Sequence, residues 1–276
     1  MTGPLFIITG ASRGYGRTLT TLLAKSNLAT QHSTFILVAR NLDDLKTLAA
    51  SLQTLPNPLK IIYEVADFSQ SDLDPVASSV LSVIPLQEYS AVYLFNNAGS
   101  LGPLKRIRDQ DAVDIEREIR INVTAPLVLT SKVLKKFADT VPKTVVVNVS
   151  SLAAVQPFDC WGIYATGKAA RDMFHRNIAV EEEAVQKEQT QSSNGPRVRV
   201  LNYAPGPLDT AMQDQIRETM PDIPLRQIYI DMHKEGKLVK TEDSAAILVK
   251  LLEEDTYENG THVDYFEVGP AKVCET

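Results

Sequence analysis

The stretch Pro4–Gly16, PLFIITGASRGYG, decides how the rest of the chain is read. Pro4 to Thr9 is a short apolar run of strand length that stops at Gly10-Ala11-Ser12-Arg13-Gly14-Tyr15-Gly16. A helical pattern follows, with Leu19, Leu22 and Leu23 as its apolar side. A strand, a glycine turn and a helix start make a phosphate site, because unpaired backbone N–H groups and the positive end of the helix dipole face one point. The backbone through Gly10, Ser12, Arg13, Gly14, Tyr15 and Gly16 is the candidate cradle. Its spacing is GxxxGxG, against the GxGxxG of the general dinucleotide fingerprint. Such glycines also suit a simple tight turn; their place directly after a first strand favours an anion.

Working outward, strands and helices alternate to the end of the chain. Thr34 to Ala39 reads as a second strand, followed at once by Arg40 and Asn41. Folds that bind NAD tend to place an acid here for the ribose 2′-hydroxyl. Arg40 stands there instead, and with Arg13 it suits a 2′-phosphate, which points to NADP. Asn41 caps a helix whose leucines fall at 42, 45, 48 and 52. Ile61 to Ala66 is the third strand, and Asp67 after it either bonds an adenine edge or supplies the N-terminal charge of the next helix. Ala91 to Phe95 is uniformly apolar, as a strand covered on both faces should be, and ends in Asn96-Asn97-Ala98-Gly99, where a cofactor passes close. A helix with Ile115, Ile119, Ile121 and Val123 carries Asn122, whose plain reading is a surface amide.

Thr144 to Val149 is a buried strand ending in Ser150-Ser151, and from about Trp161 the pattern turns helical. Lys168 follows Tyr164 by four residues, so both point the same way from one helix face. A strand-end hydroxyl, a phenol and an ammonium then converge on one substrate oxygen. When hydride reaches a carbonyl carbon, negative charge develops on that oxygen and needs a donor. Lys168 favours the phenolate and lowers the Tyr164 pKa, making it a usable general acid. Ser151 holds and polarises the carbonyl. YxxxK by itself also fits a packed tyrosine and a solvated lysine.

Residues 186–196, QKEQTQSSNGP, read as a surface insertion. Val198 to Tyr203 is the sixth strand, followed by Pro205-Gly206-Pro207-Leu208-Asp209-Thr210. Residues 208–240 carry Met212, Met220 and Met232 amid short helical patterns and read as a substrate lid. Thr241-Glu242-Asp243 opens a last helix, Thr261 to Phe266 is a final strand, and residues 267–276 form a tail. The expected fold is α/β, a Rossmann-type doubly wound parallel sheet in a single domain over 1–276. Ligands of such sheets bind beyond the carboxyl ends of the strands. Thr9, Arg40, Asp67, Asn96, Ser151 and Pro205 all fall at or just after such ends.

Composition narrows the classes. The chain has 276 residues, 44% hydrophobic and 22% charged, with a net charge of −6, which gives no support to nucleic acid as a partner. No apolar run reaches the length of a membrane helix, and residues 1–9 lack the marks of a signal peptide. Cys160 and Cys274 make no metal or disulfide pattern, and the histidines are scattered. Asn122, Asn148 and Asn259 match glycosylation triplets and are discounted without a secretory signal. The expectation is a cytoplasmic chain with no metal, no membrane and no nucleic-acid partner.

TGASRGYG, NNAG, the Ser151/Tyr164/Lys168 set and the Pro205-Gly206 turn together resemble the short-chain dehydrogenase/reductase family, over residues 4–266. Stretches such as LNYAPGPLDT, YATGKAARDM and HVDYF are similar to its members that reduce pterin side-chain ketones with NADPH. The resemblance implies catalysis by Ser151, Tyr164 and Lys168, with Asn122 in a lysine-linked water relay and Asp264 holding the pterin. It implies cofactor contacts from the glycine loop, Arg40, Asn41, Ala66, Asp67, Asn97, Ala98, Gly99, Tyr164, Lys168, Pro205, Leu208, Asp209, Thr210 and Met212. Substrate would meet Ser151, Leu152, Tyr164, Gly206 and Asp264, and the assembly would be a homodimer. The insertion, the tail and the lid after Met212 depart from that pattern. The alternatives are a reductase of 1,2-dicarbonyls such as benzil, and a non-catalytic NADP sensor.

Overall fold

The computed structural model describes residues 2–56, 58–189, 197–221 and 223–269. The chain runs β1 (Leu5–Thr9), α1 (Gly14–Lys25), β2 (Thr34–Ala39), α2 (Leu42–Gln53), β3 (Lys60–Val65), α3 (Leu73–Ser82) and β4 (Val92–Asn96). It continues with α4 (Ala112–Ile119), α5 (Ala125–Phe137), β5 (Thr144–Val149), α6 (Gly162–Gln189) and β6 (Val198–Ala204). Helices α7 (Ala211–Thr219), α8 (Pro224–Lys234) and α9 (Thr241–Glu254) precede β7 (His262–Asp264) and a last short helix, α10 (Tyr265–Val268). The seven strands form one parallel sheet in the order β3-β2-β1-β4-β5-β6-β7. The doubly wound expectation holds.

Successive residues of a strand face opposite sides, and both sides are covered here. Phe6 and Ile8 pack with Leu19, Leu23, Leu45, Leu48, Leu248 and Leu252, from α1, α2 and α9. Leu5 and Ile7 pack on the other side with Leu73, Val80, Leu129 and Val133, from α3 and α5. Each such leucine stabilises the fold by about 1.5–3 kcal/mol when fully buried. The strand order reverses between β1 and β4, so their carboxyl ends open a crevice at the edge of the sheet.

Several boundaries move. Asn96 belongs to β4 and Ala66 lies beyond β3. The last strand is only three residues long, and Tyr265 and Phe266 belong to α10. The helix expected around Asn122 is interrupted by a π turn over Arg120–Thr124 between α4 and α5. Pro126 explains the break, because the carbonyl of Asn122 finds no N–H donor four residues on. The expected 186–196 insertion begins inside α6, which runs to Gln189; residues 190–196 lie outside those described. Of the expected tail, 267–269 are described, with Glu267 and Val268 in α10, and 270–276 lie outside.

Candidate active site

The glycine loop is drawn tight against the end of β4. Gly10 has φ 67°, and a Cβ there would lie 2.8 Å from Asn97 Nδ2. At Gly16 a Cβ would lie 2.2 Å from the Gly10 carbonyl oxygen, so no side chain fits. Thr9 Oγ1 accepts from the backbone N–H of Asn97 at 3.0 Å and of Ala98 at 3.1 Å, and donates to the Phe95 carbonyl at 3.0 Å. Asn97 Nδ2 donates to the Thr9 carbonyl at 2.9 Å. These bonds lock the two strand ends that flank the crevice. Ser12 is buried, and Gly14 faces the methyl group of Thr210, so the loop after β6 closes over the cradle. The Tyr15 ring is turned into the core, which leaves its backbone as the part available to an anion.

Arg13 and Arg40 are both exposed, and among the described residues neither guanidinium makes an ion pair. Asn41 spends its side chain on capping α2, accepting from the N–H groups of Asp43 and Asp44 at 3.0 and 3.1 Å. Ala66 is buried. Asp67 accepts from the N–H and hydroxyl of Ser69, at 2.9 and 2.8 Å. Burial works against its charge, but the Ser69 bonds and then Arg40 carry its pKa below the ordinary value. The reading of Asp67 as the next helix's N-terminal charge is corrected, because α3 begins at Leu73 and is capped by Asp72. A tight glycine cradle and two unpaired guanidinium groups at one sheet edge fit a phosphorylated dinucleotide.

Ser151, half-buried just past β5, caps a single 3₁₀ turn over Leu152–Ala154, which leaves Leu152 exposed. Tyr164 and Lys168 stand one turn apart on α6, both buried, with Lys168 Nζ 5.5 Å from the Tyr164 ring centre. Burial raises the Tyr164 pKa, while the neighbouring Ser151 hydroxyl and then the Arg171 guanidinium pull it down. Lys168 is pushed well below its ordinary value, first by burial and then by Arg171, against the pull of Asp172. Its ammonium donates to the Val149 carbonyl at 2.6 Å. The balance leaves the Tyr164 pKa above its ordinary value, against the lowering expected from Lys168, and the cation that pulls it down is Arg171.

Asn122 is buried, which corrects its reading as a surface amide. Its side chain accepts from the Ser100 N–H and donates to the Ser100 carbonyl, both at 2.9 Å. Asp264 is buried at the end of β7, level with Ala204. It forms a capping box with α10: Oδ1 accepts from the Phe266 N–H at 2.9 Å, and its own N–H donates to Glu267 at 3.1 Å. Its side chain also accepts from the backbone N–H of Glu267, which completes the box. Pro205 is buried and Gly206 follows it with φ 80°. Leu208 and Asp209 are strapped to Val239, and Met212 is part-exposed on α7. Ile216, Met220 and Tyr229, from the expected lid, pack with Leu101, Leu104, Trp161 and Tyr164. Trp161 stacks on Tyr229 at 5.8 Å and meets Tyr164 edge-on at 5.6 Å.

The residues that sequence reasoning missed are Arg171, Asp172 and His175, all buried on α6. The signal was present. Once Tyr164 and Lys168 are placed inward, the helical period puts these three polar residues on the same face.

The model of the short chain dehydrogenase family matches residues 5–221. A sepiapterin reductase of Xenopus tropicalis is 40% identical over 268 residues, 95% of this chain and 96% of that one. A benzil reductase ((S)-benzoin forming) of Bacillus cereus is 32% identical over 257 residues, 92% of this chain and 96% of the other. Among solved structures the KRED1-Pglu enzyme superposes with a TM-score of 0.76 at 25% identity, covering 94% of this chain and 100% of its own. With its parallel sheet, glycine cradle and Ser-Tyr-Lys set, the chain belongs to the short-chain dehydrogenase family and is an oxidoreductase acting on CH–OH and C=O groups.

Proposed function

We propose that the protein is an NADPH-dependent carbonyl reductase that reduces side-chain ketones of pterins. One observation carries the reading: Asp264 places a buried carboxylate at the carboxyl edge of the sheet, the edge where Ser151 follows β5. A pterin presents an amino group and a ring N–H side by side, which a carboxylate binds well. The likeness to sepiapterin reductases supports the same choice.

Gly10 to Gly16 would hold the pyrophosphate, Arg13 and Arg40 the 2′-phosphate, and the Asn97–Gly99 turn would line the path to the nicotinamide. When bound, the cofactor supplies hydride to the carbonyl carbon. Ser151 then orients the carbonyl oxygen, and Tyr164, a phenol at neutral pH, passes its proton to that oxygen as charge develops. The Asn122 side chain is committed to Ser100, so a proton relay would run through its backbone carbonyl in the π turn. Helices α7 and α8 act as the lid and keep water from the oxygen.

A homodimer is part of the proposal, supported by the exposed apolar side chains Ile115 on α4 and Met173 and Val180 on α6. Sedimentation velocity at micromolar concentration should give twice the chain mass, and a monomer throughout would defeat it. The second reading, a 1,2-dicarbonyl reductase, is favoured by the capping duty that already occupies Asp264 Oδ1. Oxidation of NADPH and NADH followed with sepiapterin, benzil and simple ketones decides between them. The pterin reading expects kcat/KM for sepiapterin with NADPH to exceed that for benzil at least tenfold. A preference for benzil overturns it.

A further inference from the structure

Among the described residues Arg171 is the largest side chain sealed from solvent. A buried guanidinium is costly, and apolar residues of similar volume often replace buried charges without loss of stability. Its bonds suggest why it stays. Nε donates to Asn148 Oδ1 at 2.7 Å, Nη1 to the Ala98 carbonyl at 3.1 Å, and Nη2 to the Asn96 carbonyl. Asn148 Nδ2 in turn donates to Asp172 Oδ1 at 2.8 Å and to Asn202 Oδ1 at 2.9 Å. The same Asp172 oxygen accepts the Ser150 hydroxyl at 2.5 Å, and His262 Nδ1 lies 2.6 Å from Asp172 Oδ2.

This network ends beside Ser151, the carbonyl that receives Lys168, and the β4 turn. Ser150 precedes Ser151, and the Val149 carbonyl that receives Lys168 belongs to the same strand as Asn148. The Asn96 and Ala98 carbonyls flank Asn97, whose side chain ties the β4 turn to Thr9 and Gly10. A Cβ on Gly99 would stand 3.8 Å from Arg171 Nη1 and 3.1 Å from Asn122 Oδ1, so the guanidinium lies directly under the turn.

We propose that Arg171 is a positioning residue for carbonyl reduction, a buried cationic clamp that fixes the β4 turn and the end of β5 against the helix face carrying Tyr164 and Lys168. The inference rests on the reading of Tyr164 as the proton donor. It touches neither substrate nor cofactor and works through the backbone it holds and through its charge. That charge favours phenolate at Tyr164 and disfavours ammonium at Lys168. The other charged and titratable groups facing this region are Asp172 and His175 on α6, Glu118 on α4, and His262 and Asp264 on β7.

The test compares Arg171→Met, Arg171→Lys and Tyr164→Phe, assayed with NADPH and any carbonyl the wild type reduces. Arg171→Met should lower kcat at least tenfold. Removing a positive charge raises both neighbouring pKa values, so the alkaline limb of its kcat–pH profile should move to higher pH. Arg171→Lys keeps the charge without the three-sided fork, so kcat should be intermediate and the limb close to that of the wild type. A kcat within twofold of wild type in Arg171→Met, or a loss with the alkaline limb unmoved, overturns the proposal. If Arg171→Met does not fold, Arg171→Lys decides alone, and a kcat within twofold of wild type overturns it. Full activity in Tyr164→Phe would instead remove the reading beneath it, a result distinct from the other failures.

Discussion

At the scale of the residue, Tyr164 and Asp264 carry the sharpest expectations. Tyr164 is a phenol at neutral pH, and burial raises its pKa further; the phenol is the form that can give a proton. Tyr164→Phe keeps the ring against Trp161 and removes only the hydroxyl. Its kcat should fall by ~10²–10⁴-fold, the usual contribution of a general acid, while NADPH affinity measured by fluorescence titration changes little. Asp264 performs two tasks that different substitutions separate. Asp264→Ala loses the N-cap of α10, which typically costs about 1 kcal/mol, and so confounds folding with binding. Asp264→Asn retains an oxygen for the Phe266 N–H and removes the charge. On the pterin reading, kcat/KM of Asp264→Asn for sepiapterin falls at least tenfold, about 1.4 kcal/mol, and the value for benzil stays put. Equal losses for both substrates would leave Asp264 as a helix cap and nothing more.

At the scale of the element, the strand–turn–helix unit at the N-terminus is the most constrained. Gly14 and Gly16 differ in a way the motif alone does not reveal. A Cβ on Gly14 meets nothing closer than 3.6 Å, and the cost there is its left-handed φ of 51°, roughly 1–2 kcal/mol for an alanine. A Cβ on Gly16 collides with backbone at 2.2 Å. Gly16→Ala should therefore lower Tm more than Gly14→Ala and abolish NADPH binding, read by thermal melts with and without NADPH. Equal melting shifts would mean that the loop gives way at Gly16. Most strands were legible because they are apolar runs closed by a polar, glycine or proline residue, and the cradle because glycine leaves a visible spacing. The π turn was hidden: its cause, Pro126 four residues after Asn122, reads equally as an ordinary first-turn proline. Tyr265 and Phe266 read as strand because their side chains suit strands, whereas the capping box of Asp264 with Glu267 turns the chain into a helix.

At the scale of the whole molecule, the buried polar layer between the sheet and α6 was the least legible feature, since partners of Asp172 come from β5 and β7, far apart in sequence. That layer gives the fold a pH response with two opposed parts. His175 is fully buried; desolvation, aided by Arg171, holds its pKa at about 4 against the pull of the Arg171 carbonyl and Asp172. The unfolded chain protonates it near pH ~6.5, so its contribution is complete above that value and is lost as pH falls toward 4. The loss reaches about 3 kcal/mol. His262 runs the other way, because its bond to Asp172 raises its pKa. Its contribution is present below pH ~6.5 and fades as pH rises through its folded value. Urea unfolding at pH 7.5 and pH 5 should therefore show the wild type less stable at pH 5. The difference should shrink in His175→Asn, which removes the acid-sensitive group, and grow in His262→Asn, which removes the opposing one. A wild-type difference unchanged by His175→Asn would assign the acid response to carboxylates instead.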